Sequence, residues 1–250
     1  AAGALHVAWT EYDGLLWTTR STDGGRRFAA ARRLHVTGAS RPARAPALAA
    51  GRDGAVALAW TYGEDAAADV HLCISRDGGD RFGTARPVAR TPAYSDAPKL
   101  AFDAAGVLHL VFAESGERPL APHGLRYLRS RDGGATYDTA RDPSRPGPAA
   151  AFPSLCVGAD GIVFVAWERY APGRGSPQGI GCAVSFDGGT NFSAPQLVPG
   201  TAGEGFNGST QGLLMRKAAL HADGSVVIVN SSFAPGVRSS ITLARGRIAR

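Results

Sequence analysis

The chain has 250 residues, 44% hydrophobic and 19% charged, with 33 Gly, 16 Pro and a formal net charge of +6. This composition suits many short strands joined by tight turns and excludes long helices, extended disorder and a helical membrane span. The basic excess is mostly arginine scattered through loops, without a Lys/Arg block or a basic helix, which argues against nucleic acid as a partner.

In chain order, residues 1–6 lack the basic and apolar regions of a signal peptide. The stretch ending at Trp9 then leads to Ser21-Thr22-Asp23-Gly24-Gly25-Arg26-Arg27-Phe28, an octapeptide that returns from Ser75 to Phe82, from Ser130 to Tyr137 and from Ser185 to Phe192. All four copies read S-x-D-G-G-x-x-aromatic and recur about every 55 residues, which marks a structural period. Each copy predicts a hairpin tip. Ser and Asp oxygens accept from turn amides, the glycines supply positive φ, and the aromatic drops back between strands as a plug.

Around each tip the sequence predicts a four-strand unit. Pro46-Ala47-Leu48 opens one, Asp53-Gly54 turns, and Val56, Leu58 and Trp60 alternate along a second strand. After the loop from Tyr62 to Asp69, a third strand runs from Val70 to Ile74, and Phe82 to Val88 leaves the tip as a fourth. The plan repeats from Pro98 and again from Pro153. An aromatic stands six residues after the turn glycine in Gly3/Trp9, Gly54/Trp60, Gly106/Phe112 and Gly161/Trp167, whereas the last unit keeps Asp223-Gly224 but carries Asn230 and Arg216 where its siblings have the aromatic and the proline.

Repeats of four antiparallel strands, each packed on the next, predict an all-β fold, a β-propeller with five blades visible in a single domain over residues 1–250. The first unit opens at its second strand and the last stops before its tip, so an N-terminal portion is expected to be missing and the parent to have six blades. Cys73, Cys156 and Cys182 have no metal-ligand spacing. Cys156 and Cys182 fall two strands apart, roughly 9–10 Å, too far for a disulfide, so all three are expected to be buried thiols. No metal or cofactor is implied.

The repeated turn resembles the Asp-box, or bacterial neuraminidase repeat, of the sialidase superfamily, and the resemblance covers essentially the whole chain. It implies that the boxes lie away from the active site, and that ligand meets the loops joining second to third strands and one blade to the next. Sialidases grip a substrate carboxylate with three arginines, use a Tyr activated by a Glu as nucleophile, and use an Asp as acid/base. Arg44-Ala45-Pro46 looks like the first-arginine segment, and Arg238, after Asn230-Ser231, looks like the third. Arg169 stands near the second-arginine position, one place off register. Asp65, chosen among Glu64, Asp65 and Asp69, is the candidate acid, with Glu168 a second candidate catalytic carboxylate.

This sequence departs from the family where Ala97, Phe152 and Met215 replace its Glu, and where no Tyr follows Tyr170. The resemblance therefore implies a sialidase-like glycoside hydrolase of exo-α-sialidase type, acting on carboxylate-bearing glycosides outside the cytoplasm. The alternative is a non-catalytic Asp-box propeller that binds glycan or a protein partner. At the level of residues, Glu168 and Arg169 also read as an exposed pair in a polar loop, His6 and His109 as packed strand histidines, and Tyr94 and Tyr170 as loop aromatics.

Overall fold

The computed structural model describes residues 3–34, 41–89, 94–115, 122–158, 160–171, 177–202, 217–232 and 240–249. All regular structure among them is β, in five antiparallel sheets that each run as a meander in chain order. The first sheet holds β1 (Leu5–Thr10), β2 (Leu16–Ser21) and β3 (Arg32–Arg33). The second holds β4 (Ala43–Ala50), β5 (Val56–Tyr62), β6 (Asp69–Ser75) and β7 (Arg86–Pro87). The third holds β8 (Ser95–Phe102), β9 (Leu108–Ser115) and β10 (Pro122–Ser130). The fourth holds β11 (Ala149–Val157), β12 (Val163–Tyr170), β13 (Pro177–Ser185) and β14 (Gln196–Leu197), and the fifth β15 (Ala218–Leu220), β16 (Ser225–Ser232) and β17 (Ser240–Arg247).

The sheets pack face to face in that order, with β4 against β1 and β8, β8 against β11, and β11 against β15. This sandwiching explains why second strands are apolar on both faces: every residue of β5 is buried. First strands converge on a shared cavity of about 600 Å³, bordered by Leu48, Phe102, Leu155, Lys217 and Val227 among others.

The four repeated turns form as the sequence predicts. In each, the Ser hydroxyl donates to the Asp carboxylate and accepts from the second glycine N–H, as in Ser75 Oγ to Asp77 Oδ1 at 2.7 Å and Gly79 N to Ser75 Oγ at 2.8 Å. The Asp also accepts from amides beyond the turn, Arg27 N in the first copy and Arg81 N in the second. Box glycines then dock on the D-G type turns: Gly24 N donates to Gly3 O, Gly78 N to Gly54 O and Gly188 N to Gly161 O. Tips and D-G turns therefore share one end of the molecule, and the opposite end carries the starts of first strands and the ends of second strands.

These contacts favour the carboxylate form. Donated amides of Arg27 and Arg81 hold Asp23 and Asp77 below the ordinary value of 3.8, and the Thr136 hydroxyl does the same for Asp132. Slight burial opposes the effect at Asp187, yet the Asn191 amide and Ser185 hydroxyl bring it to about 2. Groups depressed in the folded state contribute stability that is complete above their unfolded value and is lost as pH falls through the folded values. The melting temperature is expected to hold down to about pH 4 and to decline steadily below it. A flat profile between about pH 4 and pH 2 would contradict this account.

Three of the box aromatics act as plugs between sheets, whereas Phe28 of the first copy is 46% exposed, a correction to the expectation that each copy's aromatic is a plug. Phe82 packs with Leu58, Trp60 and Cys73, Tyr137 with Leu72 and Leu110, and Phe192 lies edge-on to Tyr127 with ring centroids 4.9 Å apart. Seating the plug shortens the fourth strand. Where the sequence predicts strand from Phe82 to Val88, only Arg86–Pro87 pairs with β6, and in the third sheet the fourth strand is a single bridge between Tyr127 and Arg141.

First strands differ from expectation at their other end, since they begin ahead of the proline rather than at it. Proline has no N–H for the ladder, so it falls at a bulge. The register shifts between Arg44 and Ala47, between Asp96 and Lys99, and between Ala151 and Ser154. The residue before each proline, Ala45, Ala97 or Phe152, takes φ of 49°, 55° or 50°. Three non-glycine residues held in the left-handed region at one repeat position make this bulge a strained feature of the end opposite the tips.

All three cysteines are free. Cys73 is buried, but Cys156 and Cys182 are only half-buried, a correction to the expectation of three buried thiols. Burial pushes the Cys73 thiol up to about 12, which makes it inert.

Candidate functional site

The bulges carry Arg44 and Asp96 into strands instead of leaving them in loops, and because they occupy one repeat position on adjacent sheets they meet. Arg44 Nη2 lies 3.1 Å from Asp96 Oδ2, with Asp96 buried and the arginine side chain 28% exposed. Thr61, which follows Trp60 at the end of β5, donates to Asp96 Oδ1 at 2.8 Å, and Tyr94 directs its hydroxyl at Oδ2 from 3.5 Å. The Tyr94 ring backs the guanidinium at 5.3 Å, a cation–π contact. Arg44 Nε and Nη2 have no hydrogen-bond acceptor, since the approach to Asp96 is an ion pair without hydrogen-bond alignment.

A second carboxylate cluster stands at the corresponding end of the fourth sheet. Glu168 follows Trp167 as Thr61 follows Trp60, and it faces the fifth sheet as Thr61 faces the third. Its Oε1 contacts Lys217 Nζ, and its Oε2 accepts from the Tyr170 hydroxyl at 2.8 Å. Ser154, just past the fourth-sheet bulge, accepts from Lys217 N at 2.9 Å and so fixes the strand that presents the lysine. Burial and the nearby Lys99 charge press Lys217 down to about 8, against the pull of the Glu168 carboxylate. Lys99 is itself buried, at the repeat position after the bulge on β8.

The reading of Glu168 and Arg169 as an exposed pair in a polar loop is overturned. β12 extends to Tyr170, Glu168 is 0% exposed, and Arg169 is half-buried beside it. Tyr94 and Tyr170 are likewise buried strand-end aromatics, not loop residues open to a ligand. Asp65 is exposed and is held by Arg41 and by the Ala67 amide, apart from the Asp96 cluster. Arg238, with the segment that suggested it, lies outside the described residues. His109 is a packed strand histidine, 0% exposed and 2.6 Å from the Tyr127 hydroxyl.

Lys217, Lys99 and the role of Asp96 escaped sequence reasoning. The signal that finds them is repeat equivalence. Residues at one repeat position on adjacent sheets are spatial neighbours, which pairs Arg44 with Asp96 and places Lys99 and Ser154 on successive first strands with Lys217 just ahead of the next. No group of ligands that could hold a metal occurs among the described residues.

No protein-family model matches the chain, and no curated protein matches it either. Solved structures do. A protein of unknown function from Dyadobacter fermentans aligns with a TM-score of 0.67 at 18% identity, over 97% of this chain and 67% of that one. The likeness is one of fold. An ulvan lyase of polysaccharide lyase family PL25, bound to a GlcA(1-4)Rha3S saccharide, aligns with a TM-score of 0.67 at 10% identity, over 98% of this chain and 67% of that one. The K499G mutant of NanB sialidase from Streptococcus pneumoniae aligns at 0.51 and 14% identity, over 68% of this chain and 26% of the sialidase. The architecture is thus shared with glycan-active enzymes of more than one reaction class. No helix among the described residues is long and apolar enough to cross a membrane.

Proposed function

We propose that residues 1–250 belong to one sialidase-like β-propeller domain of six-bladed type, which engages acidic glycans at the bulged ends of its first strands and acts on carboxylate-bearing glycosides. The observation that carries this reading is Arg44. Its side chain is 28% exposed and is braced by Tyr94 and Asp96 on the end opposite the repeated turns, with Nε and Nη2 buried. A guanidinium gives a substrate carboxylate a charge-assisted hydrogen bond. Arg169 and Arg238 are its proposed companions, and Asp65 and Glu168 the proposed catalytic carboxylates. The fold shared with a sialidase and an ulvan lyase supports sugar as the ligand class, and by the same likeness an extracytoplasmic setting.

A second reading, a non-catalytic propeller that binds glycan or a protein partner, is favoured by the engagement of those carboxylates. Glu168 is enclosed by Lys217 and Tyr170, and Asp65 is tied to Arg41. A fluorophore-release assay with a sialoside and a panel of other exo-glycosides, run beside binding measurements on the free saccharides, separates the two. Turnover supports the hydrolase, binding without turnover supports the second reading, and neither result on any acidic saccharide overturns both.

Arg44→Ala is expected to weaken binding of carboxylate-bearing saccharides by about 10–100-fold, the worth of a charge-assisted hydrogen bond, and to leave neutral saccharides unaffected. Arg44→Lys keeps a cation opposite Asp96 but loses the fork, so it is expected to preserve the melting temperature without restoring affinity. Equal losses for acidic and neutral saccharides would count against carboxylate recognition at Arg44.

A further inference from the structure

Tyr12 is the one tyrosine of the chain that stands fully in solvent. The other five, Tyr62, Tyr94, Tyr127, Tyr137 and Tyr170, are buried or half-buried. Tyr170 is the sharpest comparison, because it follows Trp167 by three residues as Tyr12 follows Trp9. It turns inward and donates to Glu168 at 2.8 Å, whereas the ring of Tyr12 is fully exposed. A single exposed aromatic is common on protein surfaces, so the way this one is mounted decides what it can do.

Tyr12 lies in the turn from β1 to β2, at the end of the molecule that carries Arg44. Glu11 N donates to Leu15 O and Gly14 N to Glu11 O, both at 2.9 Å, and Asp13 Oδ1 caps the turn by accepting from Leu15 N at 3.0 Å. Beneath it Trp9 and Trp17 pair across the strands, their rings nearly parallel with centroids 6.5 Å apart. The turn is docked on the entrance to β4. Ala43 N donates to Gly14 O at 2.9 Å, and a Cβ on Gly14, whose φ is 80°, would fall 2.4 Å from Pro42 Cβ. From the far side, Gly63 N donates to Pro42 O at 2.8 Å, so the entrance is gripped by two loops. Ala43 immediately precedes Arg44, and the path through its hydrogen bond puts the Cα atoms of Tyr12 and Arg44 at most about 18 Å apart. The backbone under the ring is thus fixed relative to the guanidinium, and only two side-chain torsions are left for a ligand to order.

The flanking charges restrict what the ring can take. Glu11 and Asp13 are exposed carboxylates on either side of it, so a second anionic sugar would be repelled there, whereas a neutral pyranose can lay its apolar C–H face on the ring. We infer that Tyr12 is a specificity-determining residue, whose ring stacks on a neutral sugar joined to the acidic one at Arg44, so that the site favours acidic oligosaccharides over free acidic sugars. This rests on the carboxylate reading of Arg44 and adds to it the neighbouring unit of the substrate.

The test measures calorimetric binding of sialyllactose and of aldotriouronic acid, in which one acidic sugar is joined to two neutral ones, beside the free acids N-acetylneuraminic acid and glucuronic acid. Tyr12→Ala is expected to weaken a bound trisaccharide by about tenfold, the worth of one stacked aromatic, and to leave its free acid unchanged. Tyr12→Phe keeps the ring and is expected to match the parent chain, while Arg44→Ala is expected to weaken trisaccharide and free acid alike. Nitration of Tyr12 by tetranitromethane, followed by mass spectrometry, needs no variant because this ring alone is fully exposed. It is expected to slow with the trisaccharide and not with the free acid. A Tyr12→Ala chain that binds the trisaccharide as the parent does, equal losses for trisaccharide and free acid, or nitration that no trisaccharide slows would overturn the assignment, and a persisting effect of Arg44→Ala would leave the carboxylate reading standing. Protection of Tyr12 that survives Arg44→Ala unchanged would overturn the carboxylate reading and keep the aromatic subsite, and no binding of any of the four saccharides would overturn both.

Discussion

Gly189→Ala is expected to destabilise the protein by about 2–5 kcal/mol, combining the cost of a left-handed alanine with that of overpacking a filled site. Gly189 is the second glycine of the fourth repeated turn, with φ of 81°. A Cβ there would run into the hydroxyl of Tyr127 and come within 2.6 Å of its Cζ. That ring has little room to retreat. Tyr127 is 1% exposed, its hydroxyl lies 2.6 Å from His109 Nδ1, and its face takes the edge of Phe192. Gly24, the first glycine of the first turn, has φ of 74° but nothing within 4 Å of its added Cβ. Gly24→Ala is therefore expected to cost only about 1–2 kcal/mol. Tyr127→Phe removes the nearest clashing atom, so in its background the penalty of Gly189→Ala should shrink. Urea unfolding of the two single alanine variants and of the pair with Tyr127→Phe measures all three quantities, and equal costs at Gly24 and Gly189 would refute the packing argument.

Gly189 and Tyr127 also show what the sequence discloses and what it does not. The repeated turn announces its own hydrogen bonds, its period and the phase of second and third strands, because those depend on residues within a few positions of one another. The identity of the residue packed against Gly189 depends on the neighbouring sheet, about 60 residues earlier in the chain. First strands were misplaced for a local reason. Pro46, Pro98 and Pro153 read as strand openers, yet they sit at bulges, and that places Arg44 and Asp96 inside paired structure.

At the candidate site the loss of legibility was greater. Glu168 at a strand end looks like a solvated loop residue unless its partner is known, and Lys217 lies 49 positions away in the one unit that lacks the aromatic register. A buried charge is specified by its counter-charge, so neither residue can be interpreted alone. Equivalence between units was the available clue. Arg44 and Asp96 hold the same place before successive prolines, and the loss of Arg at the second position is better understood as the provision of a partner for the first.

Glu168→Ala is expected to be the most costly single change at the candidate site, at about 3–5 kcal/mol, because it leaves Lys217 buried without its counter-charge. The side chains are 1% and 8% exposed, so water cannot replace the lost carboxylate. The pair is not thereby a net source of stability, since desolvating two charges offsets most of their attraction. The double variant Glu168→Leu with Lys217→Met should accordingly recover most of the loss, and a double variant as unstable as Glu168→Ala would show that the contact does more than balance charge. The penalty should also depend on pH. Lys217 is already pressed down to about 8 from 10.5, and losing Glu168 removes a contact that favours its ammonium form. A lysine whose folded value lies below its unfolded value leaves the unfolded chain with more bound protons between the two, so stability rises with pH across that interval. The deficit of Glu168→Ala relative to the parent chain is expected to be larger near pH 6 than at about pH 8, above which Lys217 is neutral in both folded proteins. A deficit constant from about pH 6 to pH 10 would place its origin in lost packing around Tyr170, not in an uncompensated charge.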